Sequence, residues 1–356
     1  MRNVISLLIA AQLLSASLAH TASEDPGALF ERGYLRRAGA LCEQRLAANP
    51  ADAVAGAILS RVRAEQGDFD QAVKLASAAV GADPRSADAQ YALAEIYGRK
   101  AEKAGVLSAA GLAGKMRKAA DAALAIDPRH KDALEIIIDF HMLAPGIMGG
   151  DKKKAGEFTE RLIQSDPVAG WIKKGENALR AKDTTQAGEC FARAAEVQPP
   201  SRRALVRLAS WLTPGWRDPA RAEKLALQAA QAEPWATGAW QVLAVLYANQ
   251  QRWADLDDVL KRSETSEPSH LAPWYQAGRQ LVVDRRDPAR AEGYLRHYLS
   301  QEPEIGAQSW AAARWRLALA LEQEGRRSEA IAELHSALEL DPKLDAAKKD
   351  LKRLRG

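Results

Sequence analysis

The chain has 356 residues, 47% of them hydrophobic by the broad count and 27% charged, so it holds enough apolar material for a core and lacks the composition of a disordered tail. Fifty Lys and Arg against 46 Asp and Glu leave a net charge of +4, a small surplus rather than a basic stripe, and nucleic acid is not expected as a partner. Two cysteines, Cys42 and Cys190, are too few and too far apart for a disulfide scaffold or a CxxC metal site.

Residues 1–19 read as a secretory signal peptide. Met1-Arg2-Asn3 bears one positive charge, Val4 to Leu14 is almost wholly apolar, and Ser17-Leu18-Ala19 places small residues around a cleavage point. That apolar run falls short of the about 20 residues a membrane-spanning helix needs. The expectation is an exported chain, periplasmic or secreted, starting near His20 and without an integral membrane segment after cleavage. No Cys follows the small residues to take a lipid, and the two cysteines, on different repeats, are expected as separate thiols.

From there a short polar or acidic group followed by proline recurs, at Asn49-Pro50, Asp83-Pro84, Asp127-Pro128, Asp166-Pro167, Gln198-Pro199, Glu233-Pro234, Glu267-Pro268, Glu302-Pro303 and Asp341-Pro342. The steps are 34, 44, 39, 32, 35, 34, 35 and 39 residues. A unit near 34 residues cannot bury its own apolar face and must borrow a neighbour's, so this period means a stack. Proline cannot continue a helix and restricts the residue before it, so each one ends a unit. Between prolines the pattern is helix, turn, helix: Leu317, Ala318 and Leu321, then Gly325, then Ala330, Leu334 and Ala337.

These units resemble the tetratricopeptide repeat family. Segment 168–201 carries Trp171, Gly175, Ala187, Phe191, Ala194 and Pro199 in the family's slots, with Lys174 and Ala178 where Leu and Tyr are usual. Segment 237–270 carries Trp240, Leu243, Ala244, Tyr247 and Pro268, while Leu256, Leu260 and Ser263 replace the small and aromatic residues of its second helix. Tyr91, Leu93, Ala94 and Tyr97, the alanines Ala72, Ala76 and Ala79, and Leu317 to Pro342 extend the likeness over nearly the whole mature chain. The resemblance implies an all-α, right-handed superhelical solenoid of antiparallel helix pairs, with first helices lining a concave groove. About nine repeats are expected, over 20–167 and 168–344, and then a charged capping helix over 345–356.

Two units are overlong, by residues near 102–114 and near 144–151, and insertions in stacked repeats are expected as loops. The second, Ala144-Pro145-Gly146-Ile147-Met148-Gly149-Gly150-Asp151 followed by Lys152, Lys153 and Lys154, reads either as an anion site at a helix N-terminus or as a lengthened turn with an Asp cap. All nine Trp lie between Trp171 and Trp315, most of them at packing positions.

The resemblance also implies that the second, fifth, ninth, twelfth and thirteenth residues of each first helix face the groove. Early units then offer Asp88, Tyr91, Glu95 and Arg99, followed by Asp132, Glu135, Asp139 and Met142. Later units offer Ile172, Val206, Gln241, Asn249, Tyr275, Arg279 and Trp315. The expected partner is another protein or peptide segment, basic where it meets Tyr91, Glu95, Arg99, Asp132, Glu135 and Asp139, and anchored on Tyr275, Arg279 and Trp315. Alternatively, these residues are simply a solvated inner face. The Lys, Asn and Arg set with which some family members grip a C-terminal carboxylate is not present.

No cofactor, metal or catalytic residue is expected. The six His include no pair at ligand spacing, and neither Cys has an adjacent His or a CxxC partner. The sequence reads as a non-enzymatic, protein-binding scaffold of the cell envelope serving assembly or export. The alternatives are a small-ligand helper of a periplasmic transport system and, more remotely, an enzyme of unrecognised type.

Overall fold

The computed structural model describes residues 25–213 and 217–356, so the expected signal peptide lies outside the described residues. Among the described residues every regular element is helical and none is long and apolar enough to cross a membrane. The chain divides into two compact units, one running to Thr159 and the other from Glu160.

The N-terminal unit begins with α1 (Pro26–Glu31) and α2 (Leu35–Ala48), a short first pair. Then follow α3 (Ala53–Glu65) with α4 (Phe69–Ala82), α5 (Ala87–Lys103) with α6 (Val106–Ile126), and α7 (Lys131–Leu143) with α8 (Lys152–Ser165), inside which the division falls. First helices α3, α5 and α7 pack side by side. Alanine lets first and second helices come close: Ala64 of α3 and Ala72 and Ala76 of α4, none more than 2% exposed, form one cluster with Ile96 of α5 in the next repeat.

The acid-proline pairs have a second role besides stopping helices. Asn49, Asp83, Asp127 and Asp341 each sit at a helix C-cap in extended backbone, the region left open to a residue before proline. Each side-chain oxygen then accepts the backbone N–H two residues on, at 2.9 to 3.1 Å. This turn carries the chain into the next repeat with its polar groups satisfied. Several second helices start on an aspartate cap, as at Asp68, whose carboxylate accepts from Gln71 N–H at 3.1 Å.

Both insertions are present, and the first corrects the expectation of a loop. Residues 102–114 lengthen the pair, giving α5 17 residues and α6 21, with only Ala104 and Gly105 between them. The helix simply continues, because the segment is rich in good helix formers. The second insertion is a loop: a 3-10 turn at Gly146–Met148, then Gly149 in the left-handed region at φ 91°, then Asp151 capping α8.

The C-terminal unit continues with α9 (Pro167–Arg180) and α10 (Thr184–Glu196), α11 (Arg202–Leu212) and α12 (Pro219–Ala232), and α13 (Thr237–Gln250) and α14 (Trp253–Ser266). It ends with α15 (Ala272–Asp284) and α16 (Pro288–Tyr298), α17 (Trp310–Gln323) and α18 (Arg327–Leu340), and a final α19 (Asp345–Arg355). One apolar core runs through it unbroken from Ala178 to Leu354. Helix α19 closes that core with Ala347, Leu351 and Leu354 and turns its charges outward. Trp240 is 2% exposed, and its indole N–H donates to the Pro234 carbonyl at 2.7 Å. Trp171 is half-buried between the charges of Lys174 and Arg193.

Charged side chains join neighbouring repeats within each unit. Arg61 meets Glu95 at 2.6 Å and Arg99 grips Glu65 at 2.5 and 2.9 Å, both pairs 34 residues apart in sequence. In the C-terminal unit Arg326 reaches Glu292 at 2.7 Å, again 34 residues away. Both cysteines are buried free thiols, and burial pushes the Cys42 thiol up to about 11.

Candidate functional site

Tyr91, Glu95 and Arg99 lie on α5 and Asp132, Glu135 and Asp139 on α7, two first helices of the N-terminal unit that pack together. The α5 part is less acidic than the one-dimensional register suggests, because α3 supplies a cation. Arg61 holds Glu95 and stacks its guanidinium 5.2 Å from the Tyr91 ring centre. Burial, and then the Glu95 charge, push the Tyr91 phenol far above its ordinary range, so it stays protonated. His130 tilts against the same ring at 5.2 Å. Its Nδ1 accepts from Ala133 N–H at 3.2 Å, which caps α7, and its Nε2 faces Asp88 at 3.1 Å. The neutral tautomer with hydrogen on Nε2 satisfies both contacts.

The glycine loop is built as a turn. The carboxylate of Asp151 takes the N–H groups of Lys153 and Lys154 at 2.9 and 3.2 Å, the amides an anion would need. Ile147, at the tip of the loop, is 98% exposed.

In the C-terminal unit three successive first helices, α11, α13 and α15, enclose an open cleft of about 620 Å³. Helix α11 contributes Val206 and Ser210, with Thr213 just beyond it. From α13 come Gln241, Val245 and Asn249, and one repeat further α15 offers Gln276, Gln280 and Asp284. The lining is amides, hydroxyls and valine, with a single carboxylate and no Lys, Arg or His. Several of the amides are already positioned: Gln241 donates to Thr237 at 3.3 Å, Asn249 to the Val245 carbonyl at 3.1 Å, and Gln280 to Asp284 at 3.0 Å.

Val206, Gln241 and Asn249 therefore stand where the register places them. Tyr275 and Arg279 do not line the cleft. Tyr275 is 4% exposed and packs on Tyr298 with ring centres 5.3 Å apart, so it belongs to the core. The turn before α15 explains the shift. Helices α3, α5, α7, α11 and α13 begin three residues after their proline, whereas α15 begins four after Pro268. One residue rotates a helix by about 100°, which swaps Tyr275 and Arg279 for Gln276 and Gln280. Ile172 is likewise core, 2% exposed beside Ala194 and Ala204. Trp315 is half-buried under the Arg316 guanidinium, 4.0 Å from its ring centre, and its indole N–H donates to Asp350 of α19 at 2.8 Å. It serves the C-terminal closure.

Among the described residues no group of three or more His, Cys, Asp and Glu is placed to hold a metal ion. The helix pairs, their closing helix and the cleft across first helices define a helical-hairpin repeat protein. Residues 311–344 match the tetratricopeptide repeat model. Yeast Tom70 is 13% identical, with 96% of this chain and 88% of Tom70 covered and a TM-score of 0.51, a likeness of fold. A thermophilic tetratricopeptide-repeat protein of Thermus thermophilus is 21% identical over 52% of this chain and 95% of its own, with a TM-score of 0.46. No curated protein sequence matches the chain.

Proposed function

We propose that the chain is a non-catalytic scaffold that binds a segment of another protein in the cleft across α11, α13 and α15. The observation that carries this reading is the lining. Half-buried amides repeated from helix to helix, with valines between them, suit a backbone that needs both hydrogen bonds and apolar cover. The face bearing Tyr91, Glu95, Arg99, Asp132, Glu135 and Asp139 is a second contact surface in this reading.

Val245→Glu puts a charge on the cleft floor. It is expected to lower crosslinking of the partner to a photoreactive group at position 241 by about tenfold, since the longer, hydrated side chain takes the place of the apolar contact that Val245 and Val206 offer the segment, about 1.4 kcal/mol. The unfolding transition should stay in place; undiminished capture would remove the cleft from the mechanism.

Export to the cell envelope is part of the same proposal and rests on the charged, apolar and small-residue order of Met1 to Ala19. N-terminal sequencing of the product made from the full reading frame should begin near His20. An intact Met1 on the accumulated protein contradicts export.

A further inference from the structure

The cleft has an electrostatic imbalance at one end. Asp284, in the last turn of α15, accepts from Gln280 through Oδ1 at 3.0 Å, but its Oδ2 is closed to solvent and takes no hydrogen bond. The next first helix repeats the pattern. Gln323 on α17 donates its amide N–H to the Val282 carbonyl at 2.9 Å, which fixes the amide's orientation and leaves its Oε1 buried without a donor. Both unmet groups are acceptors, and they lie by the C-terminal turn of α15, where the helix dipole also favours positive charge. The nearest cations in sequence do not supply it: Arg286 donates to the Asn249 carbonyl at 2.8 Å, and Arg285 is exposed. Asp284 is the one carboxylate among the cleft's lining residues and has no cation among them, so a cation bound in the cleft would meet an uncompensated negative charge.

We propose that the partner segment is extended and carries an arginine or lysine whose cationic head is received by Asp284. This inference rests on the protein-binding reading above and specifies its chemistry. The amide row on α13 and α15 holds the peptide's main chain, while Asp284 sets register and charge preference. An acidic segment is disfavoured, because the lining offers no cation to meet it.

The test pans phage-displayed random dodecapeptides against the full chain. Peptides selected by the unaltered protein should share a basic residue at one position. Asp284→Asn should still select peptides but lose that preference, and Asp284→Lys should turn it toward Asp and Glu. A selected peptide made with citrulline in place of its arginine, read by fluorescence polarisation on the unaltered protein, should bind about tenfold more weakly. This last measurement needs no variant to fold. Equal binding of the citrulline peptide, or a basic preference that survives in Asp284→Asn, overturns the role of Asp284 and leaves the binding cleft standing. Failure to select any peptide, or selection unaffected by Val245→Glu, removes the cleft and the inference together.

Discussion

Replacing Gly150 by alanine is expected to destabilise the N-terminal unit by about 3 kcal/mol or more, whereas the same change at Gly111 should stabilise it by about 0.5–1 kcal/mol. A Cβ on Gly150 would stand 1.8 Å from the Ala144 carbonyl oxygen and 2.6 Å from its carbon, and both are backbone atoms that no rotamer change can move. The turn would have to open. That would disturb the bond from Asp151 N–H to the His141 carbonyl, which ties the loop back to α7. Gly111 lies in the middle of α6, exposed, with nothing within 4 Å of its would-be Cβ. There alanine only removes freedom from the unfolded chain. Urea unfolding of both variants decides the matter, and a shift of the same sign in the two would mean that the loop is not packed as described.

Trp240→Ala should cost about 3–5 kcal/mol, the range for emptying a large aromatic site in a packed core. The side chain is 2% exposed within the continuous core, and its loss also leaves the Pro234 carbonyl without its donor. Trp240→Phe keeps the ring contact but not the hydrogen bond and should fall between the two. Because repeats are held by their neighbours, the weakness should spread first to the adjoining pairs α11/α12 and α15/α16. Hydrogen exchange measured helix by helix should show that spread. A loss below about 1 kcal/mol, the level usual for surface positions, would place Trp240 outside the core.

The repeat itself was legible because proline and helix period are local signals. The pairs Asp83-Pro84 and Asp127-Pro128 mark boundaries through the restriction proline places on its neighbour, and Ala72 and Ala76 mark a packing stripe through their spacing. The cleft was legible only in part. Val206, Gln241 and Asn249 follow from counting along helices that start three residues after their proline. The same count fails in α15, where one added turn residue exchanges groove for core and hides Gln276, Gln280 and Asp284 behind Tyr275 and Arg279. No local signal marks that extra residue, since the proline step of 35 residues from Pro268 equals the step from Pro199, whose helix starts three residues on.

The neutralisation of Glu95 likewise had no local signal, since its counter-ion Arg61 lies 34 residues away. A charge partner one repeat distant becomes a partner only when the repeats stack. The sequence by itself therefore determined the helix-turn-helix repeat, its period and the family it resembles, because these rest on local pattern, but not every helix boundary, since 102–114 is helix and α15 starts one residue late. Tertiary structure alone decided which glycine tolerates a methyl group, which carboxylates are paired, and which residue of α15 faces the cleft, because each depends on how the backbone closes a turn or on atoms brought together from neighbouring repeats.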